Sequence, residues 1–307
     1  MSGSPAIRRA IDWGELAPLR LRARQVSEGL YSGLHRSALR GAGVEFGGFR
    51  EYVSGDDLRW LDRRALLRHD RLVVRQFETE TDRTLCLVVD ASASMAFRGP
   101  TAPGAKFAFA AVVAAALARV ALGNGDPVSL TFAGGAGGRR AGPSMGVPRA
   151  GGREQFERIV AALEAIEPGG DALADPMLLD GPLQALARIA TRGSIVVVAS
   201  DLLDWPPGAD DRVAALASGG RILVVLQTLD AAEADFPFSG TVRLRGLEGG
   251  AVVETDADVT RKAYLEALAK LTESWERAIV RRGGRFLRVT SSQAPLSVVR
   301  DVVKAVR

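Results

Sequence analysis

Leu85-Cys86-Leu87-Val88-Val89-Asp90-Ala91-Ser92-Ala93-Ser94-Met95 is the stretch on which the reading of this chain turns. Five apolar residues run together and end on an aspartate. An apolar run this short, bounded by small polar residues, has the pattern of a strand buried on both faces, as in a parallel sheet. Asp90 and the two serines at alternate positions after it then fall at the strand's carboxyl end, where open α/β sheets place their ligand sites. One carboxylate and two hydroxyls in a single tight loop are hard oxygen donors, a chemistry that suits Mg²⁺, Mn²⁺ or Ca²⁺. The same residues would also make an ordinary serine-rich turn capped by Asp90, so the loop needs support from elsewhere in the chain.

Working outward, the alternation of strand and helix continues. A helix is predicted over 104–122, broken by Gly125-Asp126-Pro127, and a strand over 128–132. Residues 134–152 are glycine-rich and read as a hairpin or mobile loop. Gly134-Gly135-Ala136-Gly137-Gly138 lacks the strand-to-helix setting and the Lys-Ser/Thr of a phosphate loop. Helices are predicted over 153–167 and 178–191. A second fully buried strand, 194–200, ends at Asp201. Then come a helix over 210–218, an apolar strand over 221–227, a strand pair within 241–254, a long helix over 260–282, a strand over 286–289 and a last helix over 295–306. This order implies right-handed crossovers and an α/β fold with a doubly wound, mostly parallel sheet over 84–307.

Residues 1–83 lack that alternation. The spacing predicts a helix over 16–34, an extended or looped section over 41–53, a turn at Ser54-Gly55-Asp56-Asp57, a short helix over 58–69 and a strand over 71–77. We read 1–83 as an N-terminal extension wrapped against the sheet domain, with the arginines and acids of 45–71 interlocking and Phe46, Phe49, Tyr52 and Trp60 as apolar anchors.

Composition narrows the function classes. Of 307 residues, 47% are hydrophobic and 25% charged, ordinary for a globular chain. The lone cysteine, Cys86, lies inside the first strand, so no disulfide framework can form within the chain and a reducing, cytoplasmic setting is expected. The first residues lack the apolar stretch of a signal peptide. The apolar run 107–122 is alanine-rich and contains Arg119, which reads as a core helix and not a membrane span. Charge is uneven: residues 1–75 hold 14 Arg against 9 Asp and Glu, a net of +5, while the remaining 26 Lys and Arg against 27 Asp and Glu give −1. Acids interleave with those arginines and aromatic stacking residues are few, which weighs against nucleic-acid binding.

Support for the Asp90 loop comes from Asp201. In a doubly wound sheet both loops open on one edge, so two carboxylates and two hydroxyls converge. The carboxylates would repel and raise one another's pKa unless a cation joined them. With this pairing the pattern resembles the metal-ion-dependent adhesion site of von Willebrand factor A domains, in Asp90-x-Ser92-x-Ser94 with Ser200-Asp201. The run from Gly43 to Asp62, with Glu45, Phe49-Arg50-Glu51, Gly55-Asp56-Asp57 and Arg59, resembles the signature of the domain-of-unknown-function 58 family of bacteria. Asp230-x-x-Glu233 and Pro237 fall where that family has similar elements, and the resemblance spans about 30–290.

The resemblance implies a von Willebrand factor A-like fold and a non-enzymatic protein-interaction module. It implies a partner that is a MoxR-type AAA+ ATPase, in chaperone-like complex maturation, or an acidic client. The ion would be Mg²⁺ or Mn²⁺, or else Ca²⁺, held by Asp90, Ser92 and Ser94, with Asp201 behind these ligands or joined to the ion through water. Two departures stand out. The adhesion site adds a threonine from another loop, where this chain has Gly169-Gly170-Asp171-Ala172-Leu173. Asp171 either ligates in its place or leaves the site weakened. The family's Asp-Trp pair is Asp62-Arg63 here. Two other classes remain open at this point: a metal-assisted hydrolase, and a nucleic-acid adaptor acting through the basic N-terminal part.

Overall fold

The computed structural model describes residues 11–35, 49–51, 73–75, 83–135, 146–247 and 252–306. The chain divides into two compact units, Met1–Ser37 with Arg83–Arg307, and Ala38–Asp82. The second unit is described by one antiparallel pair, β1 (Phe49–Glu51) with β2 (Val73–Arg75). The expected turn at 54–57, the helix over 58–69 and most of the charged interlock, Phe46, Tyr52 and Trp60 among it, lie outside the described residues.

The first unit is built on a six-stranded sheet. Its strands are β3 (Leu85–Ala91), β4 (Val128–Gly134), β5 (Val147–Ala150), β6 (Ile195–Ser200), β7 (Ile222–Leu229) and β10 (Arg285–Thr290), in the order β10-β7-β6-β3-β4-β5. Every pairing is parallel except β4 with β5, the hairpin edge in the glycine-rich region. β3 is central, in register with β4 (Asp90 beside Ala133) and with β6 (Val89 beside Ala199). The chain first winds from β3 towards β4 and β5, then returns to β6 on the other side. The strand order therefore reverses at β3, and its carboxyl end is the switch point at which such sheets open a crevice. The doubly wound, mostly parallel α/β fold expected from the sequence is the one observed.

Period-two alternation explains how β3 is buried on both faces. Leu85, Leu87 and Val89 point into one apolar layer, and Cys86 and Val88 into the other. The first layer is filled by α2 (Lys106–Gly123), α3 (Arg153–Ala165) and α8 (Pro295–Ala305). The second is filled by α4 (Met177–Ile189), α5 (Ala209–Ala214) and α7 (Ala257–Arg281). A small antiparallel pair, β8 (Thr241–Arg245) with β9 (Val252–Asp256), leads into α7.

Between Lys106 and Arg119, α2 is apolar around its whole circumference, which a helix sustains only when covered on every side. Its outer side is covered by α1 (Leu19–His35), where Leu19, Ala23 and Leu30 are buried and the Tyr31 hydroxyl donates to the Val120 carbonyl at 3.3 Å. The sheet unit thus takes in Arg83–Arg307 together with the first helix of what the sequence suggested was one extension. Among the described residues, α2 is the helix long and apolar enough to cross a membrane, and it lies inside this core.

Candidate functional site

β3 delivers Asp90 to the sheet edge, and a 3₁₀ turn, Ala93–Ala96, follows at once. The turn folds the Ser92 backbone N–H onto Asp90 Oδ1 at 2.8 Å and sets the Ser92 and Ser94 hydroxyl oxygens 3.0 Å apart. Close packing behind the loop requires glycine at the end of β4. Gly134 has φ +80°, and a Cβ there would lie 2.9 Å from the Ser92 nitrogen. Asp90, Ser92 and Ser94 are all buried. A small recess beside them is lined by Asp90, Ser92, Gly134, Ala172, Leu178 and Trp205.

The loop after β6 supplies the opposite wall. Ser200 donates its hydroxyl to Asp90 Oδ2 and accepts the Leu202 N–H at 2.9 Å. Asp201 is fully buried, and its Oδ1 accepts the Leu203 N–H at 3.0 Å. Leu202 and Asp204 both adopt left-handed backbone, at φ 60° and 54°. Such strain in non-glycine residues gathers at functional loops. The turn it produces brings the Trp205 indole N–H to 3.2 Å from Asp90 Oδ2, with the ring edge-on to Trp275 at 5.4 Å.

Burial, then the negative charge of Asp201, pushes the Asp90 carboxyl up to about 6, against the opposing pull of its hydrogen bonds from Ser200 and Ser92. Asp204 is raised as well, by burial and then by the charges of Asp201 and Asp171. Asp171 therefore belongs to the same edge. Its Oδ1, however, accepts the N–H groups of Leu173 and Ala174 at 2.9 and 3.1 Å, capping its own turn. The loop around it is pinned to β3 by Gly169 N–H to the Ala91 carbonyl at 2.8 Å.

Two residues that the sequence reading left out of the site complete it. Lys106, the first residue of α2, has a side chain with no exposed surface, and its ammonium lies 2.7 Å from Asp201 Oδ2 and 2.6 Å from Glu233 Oε1. Burial alone would push this ammonium down. Asp201 and Glu233 outweigh burial and hold it above the usual lysine value. Glu233 itself is raised by burial, with Lys106 pulling the other way. Asp230-x-x-Glu233 is a capping box at the start of α6 (Ala231–Asp235): Asp230 accepts the Ala232 N–H, and Glu233 Oε2 accepts the Asp230 N–H at 2.9 Å. A signal for Lys106 was present in the sequence. A cation in the first turn of an apolar helix opposes the helix dipole, which implies an acidic partner. Trp205 carried no comparable signal.

The donor chemistry fits a hard divalent ion. A buried carboxyl, two adjacent hydroxyls and a second carboxylate share one edge, and Asp90, Asp201 and Glu233 against Lys106 make three acids to one base, a surplus of two negative charges when all are ionised. Lys106 and Trp205 depart from an all-oxygen site: Lys106 donates to Asp201 Oδ2 and Glu233 Oε1, and Trp205 to Asp90 Oδ2. Among the described residues no three His, Cys, Asp or Glu side chains form a metal-holding group, so an ion would depend on the serine hydroxyls as well.

An open α/β domain with an Asp-x-Ser-x-Ser loop at its switch point is the class that this fold and site define. Within it, residues 48–274 match the family described as protein of unknown function DUF58, and the chain belongs to that family. Uncharacterized protein Mb1516 of Mycobacterium bovis and uncharacterized protein Rv1480 of Mycobacterium tuberculosis are each 29% identical over 243 residues, covering 79% of this chain and 73% of theirs. Similar solved structures include BatB from Bacteroides thetaiotaomicron, at 18% identity, TM-score 0.47, 73% of this chain and 98% of that one. The pilus adhesin SpaC of Lactobacillus rhamnosus GG is 11% identical at TM-score 0.48, covering 84% of this chain and 34% of the adhesin.

Proposed function

We propose that this chain is a non-enzymatic, von Willebrand factor A-like interaction module that presents a divalent ion, Mg²⁺ or Mn²⁺, at the carboxyl edge of its sheet. Asp90, Ser92 and Ser94 would hold the ion, with Asp201 behind them. Asp171 stands on the same edge with its Oδ1 taken by its own turn, and would reach the ion only through its other oxygen. The ion would supply positive charge and an exchangeable position for an acidic side chain of a partner. The partner we favour is a MoxR-type AAA+ ATPase or an acidic client, in the cytoplasm. That choice follows from the resemblance in the sequence motifs.

The observation that carries the reading is Asp90. It is a buried carboxyl raised to about 6 beside two hydroxyls and a second acid, an arrangement that costs stability until a cation joins it. Saturating Mg²⁺ or Mn²⁺ should stabilise the full chain. Linkage gives about 2.7 kcal/mol at a hundredfold excess over Kd, or roughly 5–10 °C in melting temperature for a domain of this size. Asp90→Ala should abolish that rise and leave a folded protein. Capture of a purified MoxR-type ATPase should require the ion and fail in chelator. An equal metal response in wild type and Asp90→Ala overturns the site.

A further inference from the structure

We infer that Lys106 is an internal counter-cation of this edge and that Glu233, by sharing it, sets how much of the Asp201 carboxylate charge an ion at Asp90, Ser92 and Ser94 can use. The inference rests on the divalent-ion reading and adds its tuning device.

Lys106 is expensive where it stands. Its side chain is wholly buried, it sits in the first turn of α2 against the helix dipole, and an isolated ammonium in such surroundings is strongly disfavoured. Stability alone does not call for it, because apolar residues of similar volume commonly replace buried ion networks without loss. What the lysine does that an apolar residue cannot is place a fixed positive charge against Asp201. That charge is divided between two acids at nearly equal distance, 2.7 and 2.6 Å. Each acid is therefore only partly neutralised.

Both acids are held from behind, so the division is set by the fold. Asp201 Oδ1 takes the Leu203 N–H. Glu233 Oε2 takes the Asp230 N–H, and its carbonyl takes the Tyr264 hydroxyl at 2.9 Å. Asp201 follows β6, Glu233 follows β7, and Lys106 follows the Ser92–Ser94 loop. Three loops of one sheet edge thus meet at one ammonium. Removing the Glu233 charge would leave Lys106 wholly to Asp201 and reduce the negative charge available to an ion. Removing Lys106 would do the opposite.

The test is Mn²⁺ affinity of the full chain, read by calorimetry and by the electron paramagnetic resonance of free Mn²⁺, with melting temperature recorded beside it. Glu233→Gln should weaken Mn²⁺ binding by about 10–100-fold, the usual effect of losing a partner behind a metal ligand. Glu233→Asp, which keeps the charge, should stay close to wild type. Lys106→Met should shift affinity the other way, to tighter binding. If Glu233→Gln and Lys106→Met lower the melting temperature but leave affinity unchanged, or weaken it together, the pair is structural and the tuning inference is overturned while the ion site stands. If wild type binds no Mn²⁺, or Asp90→Ala binds it equally well, the ion site falls and the inference with it.

Discussion

Replacing Lys106 with methionine isolates the electrostatics of the sheet edge, because methionine is straight-chained and of similar bulk but carries no charge. In the native protein the ammonium is 2.7 Å from Asp201 Oδ2 and 2.6 Å from Glu233 Oε1, and the Asp201 and Glu233 side chains are 0% and 17% exposed. The variant leaves both acids without their cation. Breaking a buried pair by removing one partner costs about 3–5 kcal/mol. At roughly 2–4 °C per kcal/mol for a domain of this size, the melting temperature should fall by about 6–20 °C in chelator at pH 7.5. The sign with pH follows from the freed acids. Glu233 is already raised by burial and loses the opposing pull of Lys106, so its penalty is full above the raised value and vanishes as pH falls below the unfolded one. The deficit should therefore shrink steadily between pH 7.5 and pH 4.5. The triple variant Lys106→Met, Asp201→Asn, Glu233→Gln should recover most of the loss, since it removes the whole network and not one end of it. Calorimetric unfolding of the three proteins across pH is the assay. A loss under about 1 kcal/mol, or one of equal size at pH 4.5 and 7.5, refutes the argument.

Asp90 makes a second pH prediction: its carboxyl, raised from 3.8 to about 6, should cost the metal-free protein on the order of 3 kcal/mol above pH 6 and nothing below pH 4. Asp90→Asn should flatten that slope; an unchanged stability profile counts against the burial of an ionised Asp90. Gly99→Ala should destabilise by about 2–3 kcal/mol, because a Cβ there would collide with Asp230 Oδ1 and displace a carboxylate that holds the Gly99 and Ala232 N–H groups and the Ser291 hydroxyl. Thermal melts showing no change would remove Asp230 as the clasp of that edge. Deleting residues 1–37 should uncover the outer side of α2, where Leu19, Ala23 and Leu30 are buried, and cause aggregation; a soluble fragment with the native melting temperature would contradict the packing of α1.

Much of the fold was legible because burial of a parallel strand on both faces forces an unbroken apolar run, and 85–89 and 195–199 are such runs. The ends of helices were less so. The predicted helix over 260–282 starts three residues early, at Ala257, because Asp256 caps it by accepting the N–H groups of Asp258 and Val259. That capping depends on where β9 ends, which local pattern does not show. The assignment of α1 to the sheet unit was hidden for a different reason. α1 is amphipathic whatever it covers, and only the all-apolar surface of α2 decides what that is. In the site, Asp90, Ser92, Ser94 and Asp201 could be read from spacing. Glu233 was visible as a motif without a role, and Lys106 and Trp205 reach the edge only through tertiary contacts separated by 95 and 115 residues in sequence. Asp171 was legible as a member of the same edge, and one of its carboxylate oxygens takes the nearest backbone N–H groups, the habitual competitor of short acidic side chains.

The sheet edge holds more unfavourable features than stability requires. A carboxyl is kept at about 6 by burial and a neighbouring acid, two non-glycine residues are held in left-handed backbone beside it, and a lysine is buried at the wrong end of a helix. Asp90 to asparagine and Leu202 or Asp204 to glycine would relieve the first two, and an apolar replacement of the whole Lys106, Asp201 and Glu233 network would relieve the third. Strain and buried charge of this kind persist where the surrounding fold over-determines them, and they gather where a protein binds something. They also lie in the loops after β3 and β6 and at the start of α2, on one side of the sheet. Their gathering in these loops supports the proposed ion site. That support is independent of the sequence motif, because it would hold for any residues that placed the same charges in the same loops.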